Sequence, residues 1–134
     1  MLKNEKGQAV APKTVTMTKK DFEDQGNTRV YWLGGGGAMI NDHGTVIMID
    51  PLLEGFDMPL LIDMPIDVKD VPHVDAILVS HVDNDHYSRP TCKDLKAVCK
   101  EYHTSYYVAS LMKEECGVDG IGHDIGDHIQ INDI

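Results

Sequence analysis

The stretch Val74–His86, VDAILVSHVDNDH, constrains this chain more than any other. Its first part, Val74–Ser80, is nearly unbroken apolar sequence of strand length, the pattern of a strand buried on both faces. Such a strand belongs inside a sheet that other elements cover. Directly after it, His81, Asp83, Asp85 and His86 fall within six residues. Alternate residues of an extended segment point to the same side, so His81 and Asp83 share one. Asp85 and His86 follow where the chain turns. Imidazole and carboxylate at this density suit zinc, manganese or iron. A loop at the carboxyl end of a buried strand is also where α/β sheets place their sites.

The flanking sequence supplies the rest of a sheet. Residues 1–27 are polar and mixed and read as an N-terminal arm, with an edge strand or short helical turn near Lys19–Asp24. Thr28–Leu33 is a strand by its β-branched and aromatic content. After the glycines 34–37, the Asn41–Gly44 turn and the strand Thr45–Asp50 predict a β-hairpin closed by Pro51. Residues 51–73 form a long connection punctuated by Pro51, Pro59, Pro65 and Pro72, a length more common in functional loops. Ser88 is placed to cap a helix with Pro90 in its first turn, and Leu95, Val98, Cys99 and Tyr102 recur at helical spacing. Ser105–Ala109 reads as a strand with Tyr106 and Tyr107 on opposite faces. Ser110 then caps a helix over Leu111–Cys116 that Gly117 ends. His128–Ile131 reads as a last strand. The class is α/β: a mixed sheet with helices on one face and the other face apolar and uncovered, calling for a missing second half or a partner chain.

Composition narrows the function. The net charge of −10 repels phosphate backbones and argues against nucleic acid. No stretch approaches the roughly 20 apolar residues of a membrane span, and the N-terminus lacks a signal-peptide core. Three cysteines without a C-x-x-C pair give no disulfide framework, so a reducing, cytoplasmic location is expected. The glycines 34–37 lack the following Lys-Ser/Thr of a P-loop and do not match G-x-G-x-x-G. His43, His73, His123 and His128 read as incidental.

The segment S-H-V-D-N-D-H resembles the H-x-H-x-D-H signature of the metallo-β-lactamase superfamily. VYWLGGGGAMI…GTVIMIDP is similar to that family's opening hairpin, and VDAILVSH to its motif strand. The wording is nearest the branch of ascorbate-6-phosphate lactonase-like and N-acylphosphatidylethanolamine phospholipase-like hydrolases. The resemblance covers residues 28–134 and implies half of an αββα sandwich, truncated before the second half. It implies His81 as a ligand of a first metal, with Asp83 standing where histidine is usual. Asp85 and His86 would serve a second metal, with Asp85 also orienting the attacking water as the catalytic residue. Asp50 matches an acidic position behind the site, where it would fix a histidine tautomer; the alternative is a plain turn residue before Pro51. The glycine turn would approach the site.

The implied cofactor is a divalent metal, zinc first, with manganese or iron favoured by the carboxylate at Asp83. The implied activity is metal-dependent hydrolysis of a small-molecule ester, lactone or phosphodiester. The family's remaining ligands lie beyond residue 134. The alternative is therefore a non-catalytic half-domain that acts through oligomerisation.

Overall fold

The computed structural model describes residues 2–134. Six strands form one mixed sheet in sequential order: β1 (Thr28–Gly34), β2 (Gly37–Asp42), β3 (Thr45–Ile49), β4 (Val74–Val79), β5 (Cys99–Ser105) and β6 (Gly120–His123). The first three make an antiparallel meander and the last four run parallel. Two helices, α1 (Arg89–Asp94) and α2 (Tyr106–Cys116), fill the β4–β5 and β5–β6 crossovers. No described helix is long and apolar enough to cross a membrane.

The main core lies between the sheet and these crossovers. Met48, Ile77 and Val79 meet Cys92, Leu95, Val108 and Met112 there. The opposite face holds a smaller cluster, Ile47 and Ala76 under Ile131, with Ile40, Leu78 and Ile129 beside it. β4 is buried almost throughout, as its sequence predicts, because β3 and β5 pair with it on either side. The N-terminal segment is part of this core: Phe22 is fully buried, and Met17 joins it.

Three predicted elements are corrected. The helical spacing of Leu95, Val98, Cys99 and Tyr102 does not continue one helix. α1 stops at Asp94, a 3-10 turn covers Leu95–Ala97, and Cys99 opens β5. The spacing persists because helix and following strand both point apolar residues into one layer; the Tyr102 hydroxyl donates to the Cys92 carbonyl at 2.8 Å. Cys92 lies on α1 and Cys99 on β5. Ser105–Ala109 is not a strand: Ser105 caps α2, its Oγ accepting from the Val108 N–H, and both Tyr106 and Tyr107 are exposed. The cap outweighs the β-propensity of Tyr-Tyr-Val. The last strand is Gly120–His123 rather than His128–Ile131. Two glycines hide it in the sequence, yet the packing demands them: a Cβ on Gly122 would come within 2.3 Å of the Tyr106 ring.

Candidate metal centre

The site begins where β4 ends. Ser80 is the first residue past that strand, and Asp50 the first past β3. The parallel register of β3 and β4 puts these two ends side by side, and the Asp50 N–H donates to the Leu78 carbonyl at 2.9 Å. Asp50 has a positive φ of 44° and is buried. Its Oδ1 accepts from the Ser80 N–H at 2.7 Å, and its Oδ2 from the Ser80 hydroxyl at 2.6 Å.

These bonds fix both histidine tautomers. His86 Nδ1 lies 2.9 Å from Asp50 Oδ2, and a carboxylate only accepts, so Nδ1 carries the proton. His81 Nδ1 lies 2.8 Å from Ser80 Oγ. The single Ser80 hydroxyl proton is committed to Asp50, so Ser80 accepts from His81 Nδ1–H. Asp50 thus orients one ring directly and the other through Ser80, so that in the neutral form of each ring Nε2 is the nitrogen left to bind a metal.

The loop folds back to bring the ring edges together. The Asp83 carbonyl accepts from the N–H groups of His86 and Tyr87 at 2.9 and 2.7 Å. The two imidazole centroids are 4.0 Å apart. His81 Nε2 lies 3.3 Å from Asp83 Oδ2, and His86 Nε2 lies 3.6 Å from Asp85 Oδ2. The four sequence-predicted residues therefore meet as two pairs, each an imidazole nitrogen with a carboxylate oxygen. Among the described residues, no three histidine, cysteine, aspartate or glutamate side chains converge on one point. The donor types and free Nε2 atoms fit a hard or borderline divalent metal; the pairs leave coordination positions to be filled from elsewhere. The Asp50 hydrogen bond holds the His86 pKa above its ordinary value against the opposing effect of burial, with further help from the charges of Asp50, Asp85 and Asp83.

The glycine turn touches this site. A Cβ on Gly36 would stand 2.8 Å from His86 Cε1. Gly36→Ala is therefore expected to displace the His86 ring and weaken metal binding several-fold, measured by zinc titration; an unchanged affinity would show that the ring has room. The long connection touches it too, through Asn84 Nδ2 donating to Asp57 Oδ2 at 3.4 Å.

A second histidine cluster escapes the sequence reading. His103, buried on β5, has Nδ1 2.9 Å from Nε2 of His123 on β6, and its Nε2 lies 3.0 Å from Glu101 Oε2. His123 is thus a partner of His103 rather than an incidental loop residue. Only the parallel pairing of β5 and β6 joins them, which sequence spacing does not reveal. His73 is also less incidental than expected, since its Nε2 lies 3.2 Å from the Gly44 carbonyl. His43 and His128 are exposed, as expected.

No family model matches the sequence, and no curated protein matches it. Solved structures do match in fold. The diiron β-hydroxylase CmlA from Streptomyces venezuelae superposes with a TM-score of 0.64 at 14% identity, over 79% of this chain and 22% of its own. An isothiocyanate hydrolase from Delia radicum gut bacteria gives 0.58 at 19% identity, over 75% and 43%. A metallo hydrolase from the hyperthermophilic archaeon Ignicoccus hospitalis gives 0.54 at 18% identity, over 79% and 43%. The chain thus spans less than half the length of each.

Proposed function

We propose that this chain, whose fold is that of the metallo-β-lactamase superfamily, is the metal-loop half of a metal-dependent hydrolase. One observation carries the reading: Asp50 and Ser80 hold two histidines whose ring centroids lie 4.0 Å apart, each Nε2 with a carboxylate oxygen beside it. Packing alone asks for no such arrangement, since Asp83 and Asp85 gain nothing from burial and repel each other.

His81 and Asp83 would hold one metal ion, and Asp85 and His86 a second. Zinc is the first choice; Asp83, an anionic donor, favours manganese or iron as the alternative. When bound, such a metal supplies Lewis acidity and a water of lowered pKa. The chain's own residues do the positioning. Asp50 and Ser80 keep both rings in the ligating tautomer, and Asp85 orients the attacking water. The Gly36 backbone closes one side of His86. The substrate would be a small ester, lactone or phosphodiester, and the remaining ligands would come from chain outside residues 1–134 or from a partner. In this reading residues 28–134 are the half-domain, 1–27 its N-terminal segment, and the compartment is the cytoplasm.

Zinc titration of the wild type, His81→Ala and His86→Ala tests this. The expected result is binding in the wild type and at least a tenfold loss in each variant. A wild type that binds no zinc, manganese or iron would sink the proposal. The pH dependence has a definite sign. Nδ1 of His86 is occupied by its proton to Asp50, so further protonation falls on Nε2 and competes with metal. The raised pKa moves this competition upward: metal affinity should fall as pH drops through a value above the ordinary 6.5 of histidine. In the metal-free protein the sign reverses. There the His86–Asp50 ion pair adds stability that is full below pH ~6.5 and lost as pH rises through the folded-state pKa.

A second reading has its own support. Val30 and Trp32 lie about 70% exposed on edge strand β1, and Ile121 and Ile125 are exposed near the opposite edge. A non-catalytic half-domain would use this face for association. Light scattering showing a soluble monomer would remove that alternative.

A further inference from the structure

Building on the hydrolase reading, we propose that the cavity between the N-terminal segment and β1 receives the aliphatic chain of a neutral ester or amide substrate. The cavity has a volume of about 330 Å³, and Val15, Met17, Tyr31, Leu33, Ile62 and Pro65 are among the residues that line it. That is the size and apolar lining of a small-molecule site. Two long-range hydrogen bonds hold its sides together: the Thr14 hydroxyl donates to the Asp63 carbonyl at 2.6 Å, and the Met17 N–H donates to the Pro65 carbonyl at 2.8 Å. Val15 and, next to Ile62, Leu61 are more than four-fifths exposed, an apolar rim that a monomer gains nothing by showing to water.

The position ties this cavity to the metal loop. Gly34 lines the cavity, and two residues of chain span at most about 7 Å. The end of that span, Gly36, is the residue whose Cβ would strike His86. On the opposite wall, Ile62 lies five residues past Asp57, the partner of Asn84 in the metal loop. A substrate with its reacting carbonyl at the loop would lay its chain across the glycine turn and into the cavity. Gly34 lets Ile62 pack directly against this turn, because a Cβ there would come within 2.8 Å of Ile62 Cδ1. The charged residues of the lining are Lys13, Asp21 and Asp63, two acids to one base, which disfavours a fatty-acid anion and favours a neutral chain.

Calorimetric titration of the protein with methyl octanoate should give saturable binding, whereas methyl acetate should give none. Val15→Asp and Ile62→Asp should each weaken methyl octanoate binding at least tenfold while leaving zinc affinity unaltered. Val15 is exposed enough that its variant keeps the fold. No saturable response to methyl octanoate, or wild-type affinity in both variants, overturns the proposal. Ester binding in a protein that takes up no metal keeps the cavity and removes the hydrolase reading; metal binding without ester binding does the reverse.

Discussion

Asp50→Asn should weaken zinc binding about 10- to 100-fold, the usual cost of losing the group that orients a metal-ligating histidine. The substitution isolates charge and acceptor capacity. Asparagine tolerates a positive φ well, so the backbone at 44° need not move. Its amide still offers one oxygen to the Ser80 N–H. Where Oδ2 stood, however, an NH2 group now faces the Ser80 hydroxyl and His86 Nδ1–H, and two donors meet a donor. His86 escapes by rotating or by moving its proton to Nε2, and either removes a ligand. Ser80 loses its acceptor, so the orientation of His81 slackens as well. Ser80→Ala breaks only the His81 branch and should cost less. Asp50→Asn should also lower the pH at which metal affinity falls away, because the hydrogen bond that raises the His86 pKa is gone. A merely structural role for Asp50 would move stability without moving that pH. Calorimetric titration of both variants over pH 5.5–8.5, with circular dichroism to confirm folding, gives both readouts. An Asp50→Asn protein that binds zinc as the wild type does would show that the hub does not position the ligands.

How much of this site the sequence discloses depends on the distance over which each contact is made. His81, Asp83, Asp85 and His86 lie in one turn, so local spacing predicts their meeting. The strand before them is legible because burial on both faces leaves a continuous apolar run. Asp50 is 36 residues from His86. Resemblance points to it, but only the parallel register of β3 and β4 explains how it reaches both rings. His103 and His123 carry no local signal at all. The errors in the second half of the chain share one cause. Between α1 and β6 the apolar pattern serves a layered packing, in which helix and strand residues face a common core. The period therefore runs across element boundaries, as at Cys99, and a cap such as Ser105 decides the element. β6 shows the same effect in reverse, because helix α2 crowds it into glycine.

Phe22→Ala is expected to destabilise the protein by about 3–5 kcal/mol, the cost of emptying a fully buried aromatic site. Composition makes residues 1–27 look like a detached arm, and this one substitution decides whether they are. The structure ties the segment down on several sides. A capping box starts the 3-10 turn Lys19–Phe22, with Asp21 Oδ2 accepting from the Thr18 N–H at 2.7 Å. The buried Asn41 amide on β2 donates to the carbonyls of Asp21 and Glu23, both at 2.8 Å, so the hairpin grips the turn on each side of Phe22. The ring then enters the main core edge-on to His73, with centroids 6.2 Å apart. Removing it leaves a cavity that these hydrogen bonds keep from collapsing, which places the cost toward the upper end. A domain of this size holds only about 5–15 kcal/mol in total, so the urea midpoint should fall by a large fraction. The exposed Val15→Ala, in the same segment, should change stability by no more than about 0.5 kcal/mol. A loss below about 1 kcal/mol for Phe22→Ala would mean that the segment detaches. The cavity between it and β1 would then be transient, so stability and ester binding in this variant stand or fall together.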